Sequence, residues 1–100
     1  MAFCYILRCA DGSYYVGSTH DLAARLSKHT EGSASQYTAA RRPVSLVFSE
    51  ALASTDEARA RERQIKGWTR GKKEALINAN RAGMKAMSRS SAMKARRPAS

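Results

Sequence analysis

Two short β-prone segments on either side of Ala10-Asp11-Gly12 constrain the fold of this chain more than any other feature. Residues 3–9 and 13–17 are rich in aromatic and β-branched side chains, and the Asp-Gly pair between them is a strong turn signal. The pattern predicts an antiparallel hairpin at the start of the chain. The first arm carries Tyr5, and the second carries Tyr15.

Two turn geometries fit this hairpin, and they place the tyrosines differently. A two-residue Asp-Gly loop puts Tyr5 and Tyr15 on opposite faces of the sheet. A three-residue loop, with Gly12 in the left-handed conformation of a bulge, pairs Cys9 with Ser13 and puts both tyrosines on one face. If the two tyrosines serve one site, the three-residue loop is required.

The segment after the hairpin predicts a helix. Thr19 or Asp21 can cap its start, because either side chain can accept a hydrogen bond from the first turn. The helix is predicted to run to about Thr30. Leu22 and Leu26 lie four positions apart, so they are predicted to be its buried pair.

The rest of the pattern predicts one more strand and two more helices. After a polar loop come an apolar alternation and two capped helical segments, at residues 32–42, 44–49, 56–66 and 69–80. Ser54 and Glu57 have the spacing of a capping box at the start of the second helix. Leu76 and Ile77 are predicted to face inward from the third. The predicted fold class is α+β, a small three-stranded antiparallel sheet flanked by about three helices.

Positive charge is distributed unevenly along the chain. The net charge is +10, and residues 81–100 contribute six basic side chains and no acidic one. Because the end of the chain also lacks apolar periodicity, residues 83–100 are predicted to be a disordered basic tail after a domain at residues 1–82. The asymmetry indicates a polyanionic partner, nucleic acid before an anionic membrane, although such a tail can also serve solubility or ribosome association.

Other features of the sequence disfavour membrane, secreted and zinc-binding classes. No apolar run approaches the ~20 residues of a membrane span, and the start of the chain lacks the pattern of a signal peptide, so a cytoplasmic protein is expected. Cys4 and Cys9 are an odd number of positions apart on one strand, which predicts reduced, buried thiols and no easy disulfide. His20 and His29 fall at no zinc-like spacing.

Arg25, His29 and Glu62 are candidate site residues outside the hairpin. Arg25 and His29 lie at positions i and i+4, on one helical face, and an isolated pair of this kind is usually only a solvated basic surface. Glu62 lies among four basic side chains of its predicted helix. It can serve as their ion-pair partner, or as a single hard oxygen ligand for Mg²⁺ or Mn²⁺.

Taken in order, short motifs along residues 3–78 resemble a known family. They are Cys4-Tyr5-Ile6-Leu7, Asp11 to Thr19, Asp21-Leu22, Arg25-Leu26, His29, Tyr37-Thr38, Arg41-Arg42-Pro43-Val44, and Glu62 with Ile65-Lys66. Their order and spacing resemble the GIY-YIG endonucleases, and especially the small stand-alone bacterial members. The resemblance implies a three-stranded antiparallel sheet flanked by helices, and metal-dependent cleavage of phosphodiester bonds.

The resemblance also implies a role for each site residue. Tyr5 and Tyr15 match the two tyrosines of the family motif, and Arg25 matches its arginine. His29 matches a position that holds His or Tyr in family nucleases. Glu62 matches the metal-binding glutamate, which makes Mg²⁺ or Mn²⁺ the expected cofactor.

The general base stays open between His29 and Tyr5. A phenol with a pKa of ~10 is only about a thousandth ionised at pH 7, whereas a neutral imidazole with a pKa of ~6.5 can accept a proton without that cost. Either His29 acts directly, or Tyr5 acts through its neighbours. Arg25 is expected to clamp a non-bridging phosphate oxygen, and Tyr15 to position water or phosphate.

The leading hypothesis is a metal-dependent endonuclease, a hydrolase acting on DNA in a structure- or damage-related (DNA repair) role without strong sequence specificity. No obligate protein partner is expected. One alternative is a catalytically weak nucleic-acid-binding module, and another is a structural protein on ribosomal RNA. Nucleic-acid contacts are expected from basic and aromatic side chains, namely Arg25, Tyr37, Arg41, Arg42 and Lys66. Glu62 favours the nuclease, since a pure binder has no use for a carboxylate inside a basic helix.

Overall fold

A computed structural model describes residues 1–80 of the chain. Three strands, β1 (Ala2–Arg8), β2 (Tyr14–Thr19) and β3 (Ser45–Leu52), form one antiparallel sheet in the order β2-β1-β3. The predicted α+β class with a small antiparallel sheet is therefore confirmed. The predicted tail, residues 83–100, lies outside the described residues.

The chain divides into two compact units after Trp68. The first unit contains the sheet and three helices, α1 (Leu22–Glu31), α2 (Gln36–Ala39) and α3 (Thr55–Lys66). The second unit begins at Thr69, and in its described part residues 70–80 are helical, as predicted. Within residues 1–80, no helix combines the length and apolar character that a bilayer crossing requires.

The hairpin has the three-residue loop. The amide of Cys9 donates to the carbonyl of Ser13 at 2.8 Å, and Gly12 has a φ of +87°. In this register Leu7 pairs with Tyr15, so Tyr5 lies diagonally next to Tyr15 on the same face. Gly12 is needed because an L side chain would be strained at this φ.

The central strand supplies most of the core. Cys4, Tyr5, Ile6 and Leu7 are all fully buried, and α3 packs on β1 and β2 with Ile65 buried. A strand buried on both faces reads as a continuous apolar run, which matches the sequence of β1. Each large side chain contributes about 1.5–3 kcal/mol by leaving water.

Side-chain caps set the starts of the helices. Asp21 caps α1, with its Oδ1 accepting from the amide of Ala24 at 3.1 Å. Ser54 caps α3, because its hydroxyl oxygen accepts from the amide of Glu57 at 3.2 Å. In a standard capping box the Glu57 carboxylate would accept from the amide of Ser54, but here it accepts from the amide of Ala53. Of the two residues predicted to cap α1, Thr19 and Asp21, the N-cap is Asp21.

The predicted buried pair of α1 was wrong. Leu22 and Leu26 are only half-buried, and His29 is the one residue of α1 that is fully buried. His29 can be buried because both of its ring nitrogens form hydrogen bonds in the interior, with Tyr5 and Thr38. Sequence periodicity assigned the inward position to leucines because it counts only apolar residues.

Two further features of the first unit differ from the sequence prediction. The polar loop contains the single-turn helix α2, whose amides of Tyr37 and Thr38 are capped by the Ser35 hydroxyl. In β3, the register against β1 shifts between Phe48 and Leu46, so this strand has a bulge. The bulge breaks the predicted alternation and leaves Leu46 40% exposed, while Phe48 is buried.

Candidate active site

A buried hydrogen bond joins Tyr5 to His29. The Tyr5 hydroxyl lies 2.9 Å from Nε2 of His29, and both residues are fully buried. Tyr5 comes from the middle of the central strand and His29 from the last turn of α1, 24 positions later in the chain. The fold thus brings a phenol and an imidazole into direct contact inside the protein.

Two more tyrosines complete an aromatic cluster around this pair. The Tyr15 ring centroid lies 5.1 Å from that of His29 and 6.5 Å from that of Tyr5. The Tyr37 ring lies 6.1 Å from that of Tyr15 and is 38% exposed. The cluster therefore runs from the buried Tyr5–His29 pair, through Tyr15, to the surface at Tyr37.

Gly17 makes room for Tyr5. The two residues are paired across β1 and β2, and a Cβ on Gly17 would lie 2.6 Å from the Tyr5 hydroxyl oxygen. The Tyr5 ring therefore crosses directly over the Gly17 backbone. This contact explains why a glycine follows Tyr15-Val16 in the second arm of the hairpin.

We expect Gly17→Ala to lower the stability of the protein by about 1–3 kcal/mol, because the added methyl group overlaps the Tyr5 hydroxyl. Thermal unfolding followed by circular dichroism measures the effect. Gly71→Ala is the matched control, since a Cβ there meets nothing within 4 Å. A Gly17→Ala protein that melts at or above the parent temperature would contradict the placement of the Tyr5 ring.

The surroundings of Tyr5 and His29 set their protonation. Burial and the nearby Tyr15 together raise the pKa of Tyr5 to about 12, although the charge of Arg25 opposes the shift. Burial lowers the pKa of His29, and the charge of Arg25 lowers it further. At neutral pH the phenol is therefore protonated and the imidazole is neutral.

Thr38 contacts the other side of the His29 ring. Its Oγ1 lies 2.9 Å from Nδ1 of His29, and Thr38 is fully buried. Sequence reasoning included Thr38 only as part of a motif and gave it no role. A hydroxyl residue next to Tyr37 is the only sequence signal for it, and that signal has no meaning until α2 is placed against α1.

Glu62 lies on α3 and is held by two donors. The Ser18 hydroxyl donates to Oε1 at 2.6 Å, and the Lys66 ammonium donates to Oε2 at 2.8 Å. Burial raises the pKa of Glu62, but the hydrogen bonds from Lys66 and Ser18, with the charges of Lys66 and Arg59, outweigh it and make the net shift downward. The carboxylate is thus ionised at neutral pH, and 21% of the side chain is exposed.

The Glu62 carboxylate has the chemistry of a ligand for a hard divalent cation. Residues 1–80 contain no group of three or more His, Cys, Asp or Glu side chains that could hold a metal ion. A cage built by the protein alone is therefore absent from this part of the chain. A single ionised, partly exposed carboxylate instead suits Mg²⁺ or Mn²⁺, ions that bind through one or two carboxylates and complete their shell with water and substrate phosphate.

Strand β2 links Glu62 to the aromatic cluster. Tyr15 contacts His29 of α1, and three residues later Ser18 contacts Glu62 of α3. The two groups also influence each other through charge, because Glu62 raises the pKa of Tyr5. Because Tyr15 and Ser18 are three positions apart, they project to opposite faces of β2, so the aromatic cluster and Glu62 lie on the two sides of this edge strand.

Arg41 and Arg42, predicted to contact nucleic acid, bind to the protein itself. Arg41 pairs with Asp11 of the hairpin loop at 3.1 Å, and its guanidinium lies 3.8 Å from the Tyr37 ring centroid. Arg42 donates to the carbonyls of Ala39, Thr30 and Glu31, and so caps the C-terminal end of α1. The predicted nucleic-acid contacts of both residues stay predictions.

Comparison with known proteins gives consistent results. The model of the GIY-YIG catalytic domain matches residues 1–75. A UPF0213 protein of Bacillus pumilus (strain SAFR-032) is 49% identical over 73 residues, which cover 73% of this chain and 74% of that protein. A UPF0213 protein of Staphylococcus aureus (strain Mu3) is 48% identical over 75 residues, 75% of this chain and 92% of that protein. A solution NMR structure of a UPF0213 protein from Bacillus halodurans is 41% identical, with a TM-score of 0.52, and covers 79% of this chain and 85% of that one.

Proposed function

The chain belongs to the GIY-YIG family, and we propose that it is a divalent-metal-dependent endonuclease that hydrolyses phosphodiester bonds in DNA. The buried hydrogen bond between Tyr5 and His29 is the observation that carries the proposal. A phenol directed at a neutral imidazole is a proton-transfer pair, and a pure binding site has no need of one. The ionised Glu62, linked to the pair through β2, supports the same reading.

Glu62 is the residue that would hold the metal ion. When bound, a divalent cation neutralises charge on the phosphate and on the leaving oxygen. The Ser18 hydroxyl keeps the carboxylate in one orientation through Oε1. The half-exposed Lys66 ammonium donates to Oε2 in the free protein, and a metal ion bound at this oxygen would compete with it.

The proton of the attacking water passes to the Tyr5 oxygen while the Tyr5 proton passes to Nε2 of His29. The water oxygen forms its bond to phosphorus as the bond to the leaving oxygen breaks. The phenol thus acts as a base without first becoming a phenolate, which matters because its pKa is about 12. The imidazolium that forms is held between Tyr5 and Thr38.

Arg25 connects substrate binding to this proton transfer. Its charge opposes the rise in the pKa of Tyr5, which is fully buried. The half-exposed Arg25 side chain would bind a phosphate oxygen and hold the phosphodiester beside the proton-transfer pair. Tyr15, which contacts both rings of the pair, is positioned to orient that water or the phosphate.

The burial of the proton-transfer pair favours one alternative, a nucleic-acid-binding module with little catalytic activity. Tyr5 and His29 have no exposed surface, whereas Tyr37 with Arg41 stacked on it presents an aromatic surface on which a base can stack.

For the nuclease, a role in DNA repair or in branched-DNA processing is part of the proposal, since a domain of this size has too little surface to specify a long sequence.

A panel of end-labelled substrates tests the proposal. Duplex, nicked, flap, junction and single-stranded DNA, with a matched RNA, are incubated with the protein in Mg²⁺, in Mn²⁺ and in EDTA. We expect metal-dependent cleavage of at least one DNA substrate and none in EDTA. Binding without cleavage under every condition would favour the binding module.

A further inference from the structure

Four residues form a continuous hydrogen-bonded chain through the interior, from Tyr5 through His29 and Thr38 to the backbone of Ser35. We propose that Thr38 is a positioning residue that holds His29 as the Nδ1–H tautomer and so directs the Nε2 lone pair at the Tyr5 hydroxyl. The inference deepens the proposed function, because only this tautomer can accept the Tyr5 proton. It rests on the direction of each hydrogen bond in the chain.

The Thr38 end of this hydrogen-bonded chain shows which atom donates in the bond between Thr38 and His29. The Thr38 hydroxyl donates to the carbonyl of Ser35 at 3.3 Å. A hydroxyl has a single proton, so toward His29 the same oxygen can only accept. Nδ1 of His29, at 2.9 Å, must therefore be the protonated nitrogen that donates to it.

The Tyr5 end gives the same direction independently. The Tyr5 hydroxyl is fully buried, and its proton needs an acceptor because a buried donor without a partner is costly. If Nε2 of His29 donated to Tyr5, the phenol proton would be left without that acceptor. Nε2 of His29 lies 2.9 Å away and can accept only if it carries no proton.

The tautomer matters because the two forms of a neutral imidazole have opposite functions here. An imidazole free in water prefers the Nε2–H form, which would donate toward Tyr5 and could not take its proton. The hydrogen bond made by one ring nitrogen decides which nitrogen carries the proton. Thr38 is thus placed to shift His29 from the form that solvent favours to the form that can accept.

Two-bond ¹H–¹⁵N correlation NMR of uniformly labelled protein reads the tautomer directly at a pH where the imidazole is neutral. We expect the parent to show a protonated Nδ1 and an unprotonated Nε2 for His29. The exposed His20 in the same spectrum reports the solvent preference. Thr38→Val, which replaces the hydroxyl with a methyl group, is expected to shift His29 toward Nε2–H, and Thr38→Ser is expected to keep Nδ1–H.

Cleavage kinetics provide the second readout. Thr38→Val is expected to lower kcat by about 10–100-fold with KM little changed, the size of effect that residues behind a catalytic group show, and Thr38→Ser is expected to retain most activity. If Thr38→Val does not fold, Thr38→Ala takes its place, since the smaller side chain fits the same space.

The outcomes separate this inference from the proposed function. An Nε2–H tautomer in the parent, or Nδ1–H unchanged in Thr38→Val, overturns the role of Thr38 even if the protein cleaves DNA. The expected tautomers in a protein that cleaves no substrate support the inference that Thr38 sets the tautomer, and they overturn the nuclease proposal alone.

Discussion

Replacing Glu62 with Gln is expected to lower the rate of metal-dependent DNA cleavage by at least about a hundredfold, because the proposed anionic ligand of the metal is removed. The amide keeps the size of the side chain and can still accept from the Ser18 hydroxyl. DNA affinity should hold or rise, since a negative charge near the phosphates is lost. Single-turnover cleavage measures the rate, and fluorescence anisotropy in EDTA measures the affinity.

Glu57→Gln is the matched control for this prediction. Glu57 is on the same helix and loses the same charge, but it lies in the first turn, where its side chain accepts from the amide of Ala53. We expect this variant to cleave like the parent. If Glu62→Gln cleaves every substrate as well as the parent does, the metal is not bound by Glu62.

Replacing Tyr5 with Phe is expected to lower the cleavage rate by about 10²–10⁴-fold, the usual range for removal of a group that transfers a proton in the transition state. The ring remains and still packs over Gly17, so the fold is kept. Nε2 of His29 loses its partner, which costs about 1–3 kcal/mol of stability. Affinity for DNA should stay within a few-fold of the parent, because the Tyr5 side chain is fully buried in the free protein.

Tyr14→Phe removes a hydroxyl of the same kind one residue before Tyr15, on the opposite face of β2. It controls for any general effect of losing a phenol from the sheet, and it should leave the rate unchanged. A Tyr5→Phe protein that cleaves at the parent rate would show that the Tyr5–His29 pair does not transfer the proton. His29, which is fully buried, would then be without a catalytic role as well.

The architecture was accessible from sequence because local chemistry fixes it. The Asp11-Gly12 pair predicted a hairpin with either a two-residue or a three-residue loop. The structure has the three-residue loop with Gly12 at positive φ, and this loop length sets the register that puts Tyr5 and Tyr15 on one face. Asp21 and Ser54 mark helix starts by the same local logic, since a short polar side chain satisfies amides only a few residues away.

The site residues were identified as a set because their order resembles a family pattern, yet their contacts were not predictable. Leu46 and Phe48 belong to the same apolar alternation, yet the bulge in β3 leaves Leu46 exposed while Phe48 is buried. Arg42 is a basic residue of the kind that contacts nucleic acid. It instead caps the C-terminal end of α1, because the segment that carries it passes next to that end of the helix. Such contacts depend on where distant segments meet, which no spacing along the chain encodes.

The sequence by itself determined that a hairpin forms at Asp11-Gly12, the approximate helix starts and the candidate chemical groups. It left open the length of the hairpin loop and the choice between Thr19 and Asp21 as the cap of α1. Only the tertiary structure decided how those groups are protonated. The burial of Tyr5 and His29 and the bond from Thr38 come from packing α1 and α2 against the sheet. Since desolvation and hydrogen bonding set both pKa and tautomer, a phenol and an imidazole become a proton-transfer pair only after the chain has folded.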